Sequence, residues 1–177
     1  MPDSPSTISV RALSLSTDIP VIYNWVSRDQ THLRSWSTRD ALRELEAAYT
    51  SILESDFAQP FMGLVNGAPV CQLDIYKTRQ DAISLYYDDR PGDYGLNWLT
   101  APLCQQEHML ALLKACLEYF FSFPEVGRII TDIESGNEWM HILFKKAGFW
   151  YGGDLNIPFK TSHLYIVTRA DISLLHS

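Results

Sequence analysis

The segment that most restricts the fold runs from Arg128 to Phe149, RIITDIESGNEWMHILFKKAGF. Ile129, Ile130, Thr131 and Ile133 are stiff at the β-carbon and favour a buried, pleated strand. Asp132 and Glu134 fall at the end of that strand, where side chains leave the core and can reach a ligand. Asn137 is a good helix N-cap, and Met140, Leu143, Phe144 and Ala147 then recur at helical spacing on one face. Lys145 and Lys146 complement the C-terminal dipole, and Gly148 supplies a left-handed stop. A capping Asn and a Gly stop suit any strand-to-helix unit, so this motif alone leaves structural and functional roles open.

With 177 residues, one compact domain spanning residues 1–177 is the economical reading. Hydrophobic residues at 46% and aromatics at 12% exclude a disordered chain and supply a real core. The balance of 14 basic against 21 acidic residues, net −7, leaves no electrostatic footprint for nucleic acid. Any polyanionic ligand must therefore be held by local donors rather than by a general positive field. Cys71, Cys104 and Cys116 are odd in number and lack CxxC or Cys/His metal spacing, so they read as reduced thiols and no metal is expected. The opening MPDSPSTISV has neither a basic region nor an apolar run, and nowhere do 18 apolar residues follow one another. Neither a signal peptide nor a membrane span is expected, and the chain reads as cytoplasmic.

Residues 8–13 alternate as a short strand. Asp18 is expected to cap a first helix, with Pro20 in its first turn and Ile19, Ile22, Tyr23 and Val26 toward the core. Ser37 or Thr38 is expected to cap a second helix reaching about Glu54, with Leu42, Leu45, Tyr49 and Leu53 at helical spacing. Four strands are expected next, over residues 61–65, 70–76, 83–87 and 95–99, the first two joined by an Asn66-Gly67 hairpin turn. A helix over about 106–121, the strand–helix unit above, and strands over 150–157 and 163–168 complete the order. This is an α+β plan: a single mixed, mostly antiparallel sheet flanked by about four helices, with one crossover near the centre.

Several segments together resemble the GNAT superfamily of acyl-CoA-dependent N-acyltransferases, and within it the siderophore-biosynthesis branch of aerobactin and hydroxamate type. The likeness extends from Val10 to about Asp171. It rests on Val10-Arg11, Trp25, Trp36, Pro69-Val70 and Asp74-Ile75-Tyr76, then on Tyr86-Tyr87-Asp88 and Pro91-Gly92-Asp93-Tyr94-Gly95-Leu96. Leu155-Asn156-Ile157-Pro158-Phe159-Lys160, followed by Leu164, closes the set. The resemblance implies acyl-CoA as co-substrate, acetyl-CoA or succinyl-CoA, and a small-molecule amine or hydroxylamine acceptor. It implies a monomer or homodimer without nucleic-acid or membrane partners. It also implies coenzyme contacts from the Leu99 backbone, Gln106, His108, Met109 and Asn137, and an acceptor pocket containing Trp36 and Asp74. Glu134 occupies the place of the family's catalytic Asp and is expected to orient or deprotonate the acceptor; the alternative is a solvated turn residue. Asn97 is expected to donate to the thioester oxygen or to fix the acceptor; the alternative is a strand-end hydrogen bond.

Three positions depart from the family pattern. Gly95-Leu96-Asn97 stands where many relatives carry Gly-Leu-His, and a carboxamide cannot serve as a general base near neutral pH. Gln105-Gln106-Glu107-His108-Met109 lacks the glycines that bring backbone N–H groups against phosphate, with His108 a partial match. Phe144 stands where many members carry the Tyr that protonates the leaving thiolate. A hydroxylamine is much less basic than an alkylamine, is largely deprotonated at neutral pH, and so tolerates the loss of the His. Positioning both reactants supplies ~7–11 kcal/mol of the barrier at best, whereas a general base contributes ~10²–10⁴-fold. The expectation is acyl transfer to an N-hydroxylated amine in siderophore biosynthesis. Its alternatives are a GNAT acting on an ordinary amine (protein N-terminus, polyamine or aminoglycoside) and a degenerate, non-catalytic binding module.

Overall fold

Asn66 and Gly67 adopt φ values of +51° and +80°, the double left-handed turn whose twist matches two antiparallel strands, and they join β2 (Ala58–Val65) to β3 (Ala68–Lys77). The computed structural model describes residues 6–28, 38–102, 104–158 and 160–173. The remaining strands are β1 (Ile8–Ala12), β4 (Asp93–Thr100), β5 (Arg128–Glu134), β6 (Trp150–Ile157) and β7 (Lys160–Thr168). The sheet order is β1-β2-β3-β4-β5-β7-β6, and every neighbouring pair is antiparallel except β4–β5. Among the described residues, five α-helices accompany them: α1 (Leu15–Arg28), α2 (Thr38–Glu54), α3 (Gln106–Phe121), α4 (Glu138–Lys146) and the short α5 (Arg169–Ser173). The expected α+β plan with one parallel crossover is the fold observed.

Strand alternation assigns the two faces. On one, Ile19, Ile22 and Tyr49 from α1 and α2 pack against Met62 and Leu64 of β2. On the other, Met109, Leu112, Leu117 and Phe144 from α3 and α4 cover Phe61, Leu73, Leu96 and Ile129. Gly148 ends α4 with φ +100°, the left-handed stop its sequence implies.

Two expectations are corrected. Asp18 does not cap α1, which starts at Leu15; it lies in the first turn, where its carboxylate accepts the Ser14 N–H at 2.7 Å and the Arg11 guanidinium at 2.6 and 2.8 Å. The strand expected over residues 83–87 is absent. Residues 78–80 and 82–85 form short 3-10 turns instead, because the Asp81 carboxylate accepts the Ile83 N–H at 2.9 Å and bends the chain. Ile83 turns into the core while Leu85 stands 80% exposed.

Side chains hang this β3–β4 connection from the sheet. The Thr78 hydroxyl donates to Asp89 at 2.6 Å, the Tyr87 hydroxyl donates to Asp93 at 2.9 Å, and Arg128 donates to both oxygens of Asp93 at 2.7 and 2.6 Å. Beside this clamp, Tyr76 lies over Gly95, its register partner on β4; a Cβ there would sit 2.0 Å from Tyr76 Cζ. Gly95→Ala is therefore expected to lower stability by about 1–3 kcal/mol, read as a lower urea midpoint at unchanged slope. The double variant Gly95→Ala/Tyr76→Leu should recover part of that loss, since the two positions share one space.

Candidate active site

β4 and β5 are joined through three rungs only, Asp93↔Arg128, Tyr94↔Ile129 and Gly95↔Ile130. The Thr131 hydroxyl donates to the Leu96 carbonyl at 3.0 Å and closes the crotch. Beyond it no register pair links the strands, and they diverge around a cavity of about 280 Å³. Asn97 and Trp98 line it from β4, Asp132 and Glu134 from β5, Asn137 from the head of α4 and Lys160 from the start of β7. Three residues singled out in the sequence, Asn97, Glu134 and Asn137, are thus brought together in one cleft.

The turn that carries two of them is held in place. Asn137 caps α4, its side-chain oxygen accepting the Met140 N–H at 3.4 Å. His141 reaches back from α4 so that Nε2 meets the Glu134 carbonyl at 3.0 Å and Nδ1 meets the Tyr165 hydroxyl at 3.1 Å. A carbonyl can only accept, so Nε2 donates, and in the neutral ring Nδ1 is then the acceptor for the Tyr165 hydroxyl. Sequence reading left His141 without a role; its place one helical turn after Asn137 was the available signal. Lys160 was also missed as a site residue. Its Nζ lies 2.7 Å from Asp132, pairing one of the two β5 carboxylates across the cleft.

Asp74 sits on β3 directly opposite Asn97 and so on the same side of the sheet. The Gln72 amide donates to its Oδ1 at 2.6 Å. Burial pushes this carboxyl from the usual 3.8 up to about 6, against the opposing effect of the Gln72 bond. Tyr76, on the same strand and face, is shifted upward by its own burial and by the Asp81, Asp132 and Asp74 carboxylates.

The expected coenzyme contacts divide. Leu99 packs its side chain with the α1–α2 cluster, leaving only its backbone for a ligand. Gln106 opens α3, and His108 is half-buried in the first turn. Met109 is a correction: its side chain is fully buried in the α3 core and its N–H is bonded to the Gln105 carbonyl at 3.2 Å, so it braces the helix. Gln105 makes no side-chain cap bond, which leaves the first-turn N–H groups of α3 able to meet an anion, although Glu107 stands exposed beside them. Trp36 lies outside the described residues.

Phe144 is fully buried, edge-on to Trp98 with ring centroids 6.4 Å apart, and brings no hydroxyl to the cleft. The Trp98 indole Nε1 is buried without a hydrogen-bond partner among the described residues, a donor-only group in the cleft wall. Among the described residues no cluster of three His, Cys, Asp or Glu is placed to hold a metal ion, and no helix is long and apolar enough to cross a membrane.

A mostly antiparallel sheet opened at its one parallel junction, with a carboxamide on the β4 lip and two carboxylates and a carboxamide on the other, is the scaffold of an N-acyltransferase. The chain belongs to the GNAT acetyltransferase family, matching the acetyltransferase (GNAT) domain over residues 14–157. It is 25% identical to the aminoglycoside N(6')-acetyltransferase type 1 of Klebsiella pneumoniae, over 94% of this chain and 86% of that protein. It is 26% identical to the lysine N-acyltransferase MbtK of Mycolicibacterium paratuberculosis, over 92% and 73%. It is 20% identical to the N-hydroxyputrescine acetyltransferase of Acinetobacter baumannii, over 90% and 77%. The crystal structure of aminoglycoside acetyltransferase AAC(6')-Ib with coenzyme A and kanamycin superposes with a TM-score of 0.80, covering 97% of this chain and 100% of that one at 24% identity.

The raised carboxyl of Asp74 has a sign that can be measured. A carboxyl with a higher value in the folded state favours folding at low pH, and that contribution is lost as pH rises from about 4 through about 6. Asp74→Asn abolishes the loss, so the variant should be more stable than the parent at pH 7.5 by about 1–2 kcal/mol, allowing for partial exposure. At pH 4 the two should be alike in denaturant melts.

Proposed function

We propose that this protein transfers an acyl group, acetyl or succinyl, from acyl-CoA to the nitrogen of an N-hydroxylated amine in siderophore biosynthesis. The observation that carries the reading is Asn97, which lines the β4–β5 cleft at the position where the family resemblance implies an imidazole. Among the described residues, those lining that cleft include carboxylates and carboxamides but no His. An alkylammonium would need a base strong enough to deprotonate it before attack, whereas a hydroxylamine is already neutral near pH 7, and a carboxylate suffices to take the proton its nitrogen sheds as it is acylated.

In this reading the amide-bearing arm of acyl-CoA lies along the β4 edge that β5 abandons after Gly95, where the backbone of Asn97 and Leu99 has no β5 partner. Asn137 meets that arm from the far lip, and the Trp98 N–H is an available donor on the wall. The first turn of α3, with Gln106 and His108, is the local source of donors for the phosphates. Glu134 and Asp74 orient the acceptor. The N-hydroxyputrescine acetyltransferase relative supports this acceptor class. An ordinary amine of the aminoglycoside or polyamine kind is the second reading, favoured by the Klebsiella relative.

Calorimetric titration with acetyl-CoA and succinyl-CoA should give saturable binding to at least one. With that donor, N-hydroxylysine or N-hydroxyputrescine should exceed its parent amine in kcat/KM by on the order of 10²–10³ at pH 7, because an alkylamine is neutral in only about one molecule in 10³ there. Preference for kanamycin or the parent amine would move the assignment to the second reading. Absence of binding to both thioesters would leave a binding module.

A further inference from the structure

The cleft presents its polar groups in unequal states. Asp132 is paired with Lys160 at 2.7 Å, and Glu134 is exposed at the end of β5. Asn97 cannot accept a proton near neutral pH. One strand away, Asp74 stands directly opposite Asn97, and facing residues of an antiparallel pair hold their Cβ atoms about 4.5–5.5 Å apart. Its carboxylate is therefore a side-chain length from a residue that lines the cavity. Gln72 fixes Oδ1 at 2.6 Å, while Oδ2 has no hydrogen-bond or ion-pair partner among the described residues. Around it are Tyr49 from α2, Tyr76 on its own strand, Asn97 on β4, and the Asp132–Lys160 pair on the far lip; no Lys or Arg among the described residues is paired with it.

We propose that Asp74 is the proton acceptor of the transfer, a base moved from β4 to the facing position on β3; the proposal rests on the acyltransferase reading above. As the acceptor nitrogen forms its bond to the acyl carbon, the carbon–sulfur bond breaks and coenzyme A leaves as its thiolate. The proton displaced from nitrogen passes to Asp74 Oδ2 and then to solvent. Gln72 keeps the carboxylate turned so that the other oxygen receives it. The buried setting supports the role, since a carboxyl raised to about 6 is a better proton acceptor than a solvated one and is still ionised at neutral pH.

The test compares the full-length parent, Asp74→Asn, Asn97→His and the double variant Asp74→Asn/Asn97→His. The readouts are pH profiles of acyl transfer from acetyl-CoA or succinyl-CoA to N-hydroxylysine, followed by thiol release, and calorimetric thioester affinity. The parent should show an acid limb near pH 6 after the rate is divided by the neutral fraction of N-hydroxylysine, whose own ammonium titrates in the same range. Asp74→Asn should lose about 10²–10³-fold in kcat, lose that limb, and bind the thioester within twofold of the parent. The double variant should regain at least tenfold of kcat with a new limb from the imidazole. A kcat within threefold of the parent in Asp74→Asn, or the same limb persisting there, would overturn the proposal. So would a rise in KM at unchanged kcat, which would make Asp74 an acceptor-binding group alone. If the parent turns over kanamycin but not N-hydroxylysine, the substrate reading fails, and the same limb measured with kanamycin still decides Asp74.

Discussion

The structure depends on how β4 and β5 are held together below the point where they part. Three parallel rungs are little adhesion for two central strands, and Arg128 supplements them by gripping both oxygens of Asp93. The side chains of this pair are 14% and 1% exposed, so the interaction is nearly dry, and removing one partner of such a pair costs about 3–5 kcal/mol. The same Asp93 receives the Tyr87 hydroxyl, which ties the preceding connection to the clamp. The gap above exists because the joint beneath does not give.

What stands on the lips of that gap follows from burial and pairing. Lys160 cancels Asp132, His141 secures the backbone of Glu134, and Gln72 restrains Asp74 without neutralising it. Keeping a half-buried carboxylate without a cation partner works against folding at neutral pH. A residue retained at such a cost in stability is a common mark of a functional position. The buried Trp98 N–H adds a second group whose hydrogen bond is not made inside the protein.

Much of the fold could be read from local chemistry. The Asn66-Gly67 turn, the capping Asn137 and the Gly148 stop each impose a conformation whatever surrounds them, and all three were legible. Residues 83–87 misled because their apolar content suits a strand, whereas one side-chain bond from Asp81 to the Ile83 amide settles the matter. Met109 misled in another way: proximity to a phosphate-binding turn in sequence says nothing about which side of the helix a residue takes, and its apolar side chain faces inward. The convergence of Asn97, Glu134 and Asn137 was foreseeable from the family pattern. The pairing of Lys160 with Asp132 and the facing of Asp74 by Asn97 depend on strand register, which no local motif encodes.

The clamped β3–β4 connection separates two demands that usually conflict. Its roots at Thr78, Tyr87 and Asp89 are anchored near the cleft floor, while Leu85 at its outer bend touches little. Mutations accumulating at that bend would leave the roots, and with them the width of the opening, undisturbed. Lineages could thus reshape the crest of this connection while inheriting an unaltered jaw.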